Sequence, residues 1–237
     1  MNNRKRTCCL LLSVLVLFVV SPVAYADLYC EFVQTTKGVP GQPDGTKNVE
    51  SYYTSNAIRT DTGDEIMIMD FDSNTMYRLN TTDKTYVKIN MNKIGGMPQM
   101  VDEKEAQAIQ AMMKKMMGSI QVTPTNEIKK IAGYKCTKYD VAFMMTNSEY
   151  WLSKDVKEYE EFKAMSNKMA SAFEKNPMLK QMNVAGMMDK LDGFPVQMVM
   201  NMMGGTTTTT LKNIKEQSLS KDLFGAPKGY TLKKNAN

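Results

Sequence analysis

Methionine is the side chain this sequence offers most often for chemistry: there are 23 in 237 residues, and 16 of them lie between Met112 and Met203. A thioether can do three things. It fills irregular gaps in a core. It lines an apolar cavity that moulds to ligands of varied shape. As a soft donor it holds Cu(I). The pairs Met112-Met113, Met116-Met117 and Met187-Met188 set neighbours about 100° apart on a helix, so they diverge rather than converge on a metal. A mixed site would want histidine, and the chain has none. Neither a metal nor a cofactor is expected. The candidate cavity-lining residues are Met113, Met116, Phe162, Met169, Met182, Met198 and Met200.

The same lack of histidine excludes Ser-His-Asp and Cys-His catalysis and the ordinary histidine zinc sites. Carboxylates such as Asp61, Asp64, Glu65, Asp70 and Asp72 stand beside turns, where solvated capping is their usual role. Asp70-Phe71-Asp72-Ser73-Asn74 begins like a calcium loop but lacks the sixth-position glycine and the distal glutamate. Ser220-Lys221 is adjacent rather than spaced for a catalytic pair. Gly95-Gly96 and Gly204-Gly205 read as turns, the second a two-residue hairpin turn, and the run Lys157 to Glu161 as a solvated helix face. An enzyme is not expected.

The elements that would position these residues begin after an address segment. Arg4, Lys5 and Arg6 precede an apolar run from Leu10 to Val20, Pro22 breaks it, and Ala24-Tyr25-Ala26 is a small-x-small cleavage pattern, as in a secretory signal. The apolar run is shorter than the roughly 20 residues a spanning helix needs. Residues 1–26 are therefore read as a signal peptide and 27–237 as a single domain, periplasmic or secreted, with no transmembrane segment. Tyr29 ahead of Cys30 is too bulky for a lipid-anchor signal. The leader holds three of the 30 basic residues and none of the 25 acidic ones, which leaves 27 against 25. A net charge of +2 argues against nucleic acid as a partner. Cys30 and Cys136 remain after cleavage. An isolated pair in an oxidising compartment is expected to form a disulfide, worth up to about 4–5 kcal/mol for so long a loop.

Thr46 to Asn90 reads as an up-and-down meander of short strands joined by polar turns. Ile66, Ile68, Tyr77 and Leu79 fall on one parity and want cover. Leu28 to Lys37 reads as a first strand. Asp102 to Met117 reads as a helix with a capping box, Asp102 and Glu105, and an apolar stripe. Strands return from Ile120 to Leu152. Asp155 to Glu174 is a second helix, and a third runs from Asn176-Pro177 to about Leu191. Phe194 to Met203 is a strand with one apolar face, paired with a strand that opens on Thr206 to Thr210.

The order of short motifs carries a resemblance: IMIMDF, MYRLN and KTYVKI, then IAGYKCTKYDV and EYWLS, then GFPVQM, a threonine-rich strand and FGAPKGY. It resembles an exported bacterial family of unknown function, DUF4412-like. It is also similar to the half-barrel group of periplasmic lipoprotein carriers, LolA-like and LolB-like. The resemblance implies an α+β fold, a curved antiparallel sheet (a LolA-like half-barrel) covered by helices near 102–118 and 155–191, whose concave side holds acyl chains. Arg59 is its candidate for a lipid-contacting arginine. The expectation is a non-enzymatic binding or carrier protein for a lipid or other apolar ligand. The alternatives are a methionine-rich copper-binding envelope protein and a structural or interaction domain without a ligand; the partner expected besides a lipid is another envelope protein.

Overall fold

The computed structural model describes residues 27–93, 120–143, 146–175, 179–180 and 183–233. The expected helix at 102–117 lies outside the described residues. Twelve strands form one sheet: β1 (Leu28–Lys37), β2 (Gly45–Tyr53), β3 (Ala57–Asp61), β4 (Glu65–Asp70), β5 (Thr75–Asn80), β6 (Thr85–Asn90), β7 (Gln121–Ile131), β8 (Tyr134–Phe143), β9 (Thr146–Ser153), β10 (Phe194–Met202), β11 (Gly205–Glu216) and β12 (Thr231–Leu232). Their order is β12-β6-β5-β4-β3-β2-β1-β11-β10-β9-β8-β7. Every pairing is antiparallel except β12 on β6, and among the described residues β7 and β12 remain as open edges. Two α-helices are described between β9 and β10: α1 (Tyr159–Phe173) and α2 (Val184–Lys190). The α1 helix starts at Tyr159, four residues after the expected Asp155, and residues 179–180, within the expected third helix, are helical too.

The meander forms as its alternation predicts, β2 to β6 pairing in sequence order. Side chains alternate between the two faces of a strand, so the register sorts them. Tyr29, Tyr52, Arg59, Ile68 and Tyr77 are cross-strand neighbours on one face. Leu28, Tyr53, Ile58, Met69 and Met76 are neighbours on the other. The first is covered by the C-terminal segment: Phe224 and Tyr230 pack on buried Ile66, Ile68 and Leu79. The Arg59 Nη1 donates to the Leu223 carbonyl at 3.1 Å. We call this the tail face. The helices lie on the opposite, helix face, where Phe162 of α1 meets Tyr53. The apolar parity of β4 and β5 is thus buried by the chain's end and not by the helices. Two described helices cover only part of so wide a sheet.

The main core gathers Cys30, Phe32, Val49, Leu211, Phe194 and Val196 around Val156 and Tyr159. Each large side chain fully withdrawn from water there, such as Phe194, stabilises the fold by about 2 kcal/mol. The expected disulfide is not formed: Cys30 and Cys136 are both buried free thiols. Cys30 is on β1 and Cys136 on β8, four strand steps apart in the sheet order. Their parities also differ. Cys30 shares the helix-face parity of Gln34, which aligns through Thr209, Met198 and Tyr150 with Tyr139, and Cys136 is an odd number of residues from Tyr139.

The hairpin turn between β10 and β11 is Met203-Gly204, not Gly204-Gly205. Gly205 pairs with Met202, and both turn residues have positive φ, 52° and 82°, the two-residue geometry that matches strand twist. Gly205 is glycine for another reason. A Cβ there would stand 2.4 Å from the Val39 nitrogen and 2.5 Å from the Gly38 carbonyl carbon, so only a bare backbone fits under the loop that follows β1.

Candidate functional site

The α1 helix is held on the sheet by aromatic edges. Phe162 lies between Tyr53 of β2, at 6.0 Å and 82°, and Phe194 of β10, at 4.8 Å and 62°. At the far end Phe173 meets Phe71, from the turn after β4, at 6.0 Å. The α2 helix packs against α1 and β7. These anchors leave a cavity of about 520 Å³ between the helices and the sheet. Tyr150, Leu152 and Pro195 form its floor, Phe162, Met169 and Phe173 one wall, and Val184, Met187 and Leu191 the other. Lys163, Ser166, Asn167 and Asp189 add the polar groups. Size and composition match the sites that hold small apolar ligands.

A polar latch closes one end. Lys154, just after β9, pairs with Asp192, and the Tyr159 hydroxyl donates to Asp192 Oδ1 at 2.8 Å. The hydrogen bonds from Lys154 and Tyr159 hold the Asp192 carboxyl below the usual carboxylate range. Burial, then the bond to Asp192, pushes the Tyr159 phenol up. Next to the latch, Gly193 has φ +148°, and a Cβ on it would stand 2.9 Å from Leu152 Cβ and 3.0 Å from the Ser153 nitrogen. Glycine is what lets the chain pass from the latch over β9 into β10.

A second, more polar groove of about 800 Å³ continues along the helix face. Ser148, Tyr150, Met198 and Met200 line it from β9 and β10, Thr207 and Thr209 from β11, and Gln34 and Thr36 from β1. Asp64 and Glu65, at the β3–β4 turn, also border it. Strands β4 and β9 are six steps apart, about 29 Å along the sheet. That both wall one groove means the sheet curls, with the helix face on the inside. Tyr150 borders both the cavity and the groove.

Of the residues singled out from sequence, Phe162 and Met169 line the helix cavity, and Met198 and Met200 line the groove. Met113, Met116 and Met182 lie outside the described residues. Arg59 is on the tail face, turned away from both spaces. It pairs with Asp61 at 3.0 Å, lies over the Tyr52 ring at 5.8 Å and donates to Leu223, so it holds the tail down and does not face a ligand. Sequence reasoning missed Tyr150, Leu152 and Pro195. Alternation in Glu149-Tyr150-Trp151-Leu152 put Tyr150 and Leu152 on one face, but only the register shows that this face is roofed. Asp70 caps its turn, accepting from the Asp72 and Ser73 amides and the Ser73 hydroxyl. Among the described residues no three His, Cys, Asp or Glu side chains are grouped to hold a metal ion. Within the same residues no helix is long and apolar enough to cross a membrane.

The fold and the roofed cavity define an α+β protein built on one large, open, antiparallel sheet. The chain belongs to the family described as Domain of unknown function (DUF4412), whose profile matches residues 42–230. No curated protein sequence matches it. Among solved structures it is similar to an uncharacterized conserved protein from Thermus thermophilus, at 8% identity over 88% of this chain and 90% of that one, TM-score 0.48. It is similar to a LolA superfamily protein from Nitrosomonas europaea, at 6% identity over 85% and 90%, TM-score 0.34. PNGF-II matches at 13% identity over 89% of this chain, TM-score 0.43. The chain spans about a third of the length of the PNGF-II chains it matches, 31% and 32%.

Proposed function

We propose that this is an exported, non-enzymatic binding or carrier protein for a lipid or another apolar ligand, acting in the periplasm or outside the cell after loss of residues 1–26. One observation carries the reading: the 520 Å³ cavity between α1, α2 and β9–β10, walled mainly by Phe, Met, Leu and Val side chains. Burying an apolar chain there is worth about 0.8 kcal/mol per methylene. The methionines suit a wall that must accept varied shapes. Native mass spectrometry of the mature protein, purified from its compartment without detergent, tests this. Heterogeneous added mass that extraction identifies as lipid is the expected result. Bare protein that also takes up no lipid from vesicles overturns it.

A second reading, thioether binding of Cu(I), draws on the meander. Met69 and Met76 are direct cross-strand partners, and Met67 is on the same face. Directly opposed residues have Cβ atoms about 4.5–5.5 Å apart, close enough for flexible thioethers to share a soft cation. A stoichiometric copper mass, lost in Met69→Leu with Met76→Leu, would favour it.

A further inference from the structure

We infer that Tyr150 is the polar anchor of the bound ligand, and that the ligand is a single-chain amphiphile. Its apolar chain fills the helix cavity, and its oxygen-bearing head lies in the threonine-lined groove. The inference rests on the binding reading above and deepens it.

Three observations converge. Tyr150 forms part of both spaces, so a molecule passing from one to the other passes its side chain. The two spaces differ in chemistry. The cavity side presents Phe162, Met169, Leu152 and Leu191, whereas the groove presents Gln34, Thr207, Thr209 and Ser148. That difference fits a molecule with one apolar and one polar end better than a plain hydrocarbon. Finally, the Tyr150 hydroxyl makes no hydrogen bond to another described residue, in contrast to Tyr29, Tyr52 and Tyr159, whose hydroxyls all donate to carboxylates. A half-buried phenol at a cavity junction, without a partner among the described residues, is a donor available to a ligand acceptor. Burial pushes this phenol up, so it keeps its proton at neutral pH.

The register extends the path. Tyr150, Met198, Thr209 and Gln34 are successive cross-strand neighbours on the helix face, and Gln34 Nε2 donates to Thr209 Oγ1 at 3.4 Å. A carboxyl or ester oxygen accepting from Tyr150 would have this amide and these hydroxyls next in line along the groove. The spacing suits one head group on one chain. A diacyl lipid would have to place its second chain against the threonines and Gln34.

The test uses two fluorescent probes on the mature protein: cis-parinaric acid, a chain with a carboxylate head, and diphenylhexatriene, a hydrocarbon with none. Wild type is expected to bind both. Tyr150→Phe keeps the ring and removes only the donor. It is expected to weaken cis-parinaric acid by roughly fivefold to tenfold and to leave diphenylhexatriene unchanged. Ser166→Trp, which fills the helix cavity, is expected to abolish both. If Tyr150→Phe shifts neither probe, or both alike, Tyr150 is not an anchor and this inference falls while the binding reading stands. If Ser166→Trp leaves cis-parinaric acid bound, the chain is not in the cavity and the inference also falls. If wild type binds neither probe, the binding reading itself has failed.

Discussion

Phe162 meets Phe194 edge to face, with ring centroids 4.8 Å apart and planes at 62°. This contact pins the first turn of α1 to the entry of β10 and sets the height of the cavity roof. Phe162→Ala removes that contact and the one to Tyr53. We expect a loss of about 2–3 kcal/mol, at the low end for a large-to-small change because Phe162 is not fully buried. Urea denaturation measures it. An unchanged midpoint would mean that α1 is held by other contacts.

The Asp192 latch has a definite pH sign. Its carboxyl is held below its ordinary value of 3.8 by hydrogen bonds from Lys154 and Tyr159. A depressed carboxylate contributes stability above its unfolded value and loses it as pH falls through the folded one. Asp192→Asn is therefore expected to be less stable than wild type at pH 7, by under about 1 kcal/mol because the ion pair is exposed to solvent. The difference should shrink below about pH 4. Thermal denaturation at pH 7 and pH 3 checks both the size and the sign.

Much of this architecture was legible in the residues, and the limits have physical causes. The meander was readable because strand alternation and turn chemistry are local: Ile66 and Ile68 alternate, and Asp70 and Asn80 lie at strand ends. Parity identified the buried side of β4 and β5 but could not say what covers it. That depends on Phe224 and Tyr230, more than 140 positions away in the chain. The disulfide expectation failed for a similar reason. Counting cysteines gives no register, and Cys30 and Cys136 were placed by long-range pairing on alternate parities. Methionine spacing led to Phe162, Met169, Met198 and Met200 as lining residues. It gave no hint of Tyr150, whose importance comes from where two spaces meet.

Both thiols should behave as buried and free. In the native protein neither Cys30 nor Cys136 should react with a thiol reagent at pH 8, and denaturation without reductant should expose both. Finding none after denaturation would establish a bridge.

Alkali should then destabilise the fold. Burial pushes the Cys30 thiol up from its ordinary 9.0 and the Tyr53 phenol up from 10.0. The Tyr52 phenol is pushed up to about 12 by burial and its bond to Glu50. A raised group contributes stability that is complete below its unfolded value and is lost as pH rises through the folded one. Stability is expected to hold to about pH 9 and then fall by about 1 kcal/mol per pH unit from Cys30 alone, faster as the tyrosines join. Urea midpoints at pH 7, 9 and 10 follow the decline.

The β10–β11 hairpin offers a pair of opposite effects. Gly205→Ala forces a Cβ against the backbone of Gly38 and Val39, and overpacking of this kind costs about 1–3 kcal/mol. Met203→Asn should instead stabilise by up to about 1 kcal/mol, because asparagine tolerates the positive φ better. It also removes an apolar side chain that is 73% exposed. The two melting temperatures should move in opposite directions.

The strand order has a consequence for when the fold can form. Strand β1 lies between β2 and β11, so the first strand of the domain waits for residues 205–216 before its second edge is paired. The tail-face core likewise waits for Phe224 and Tyr230. A topology dominated by such distant pairings folds slowly, on a timescale of roughly milliseconds to seconds. A ribosome adding about 5–20 residues per second reaches residues 205–216 roughly 10–30 seconds after it has made β1. The two closing contacts of the sheet therefore depend on segments far along the chain, whereas the β2–β6 meander, whose strands pair in sequence order, can form before them.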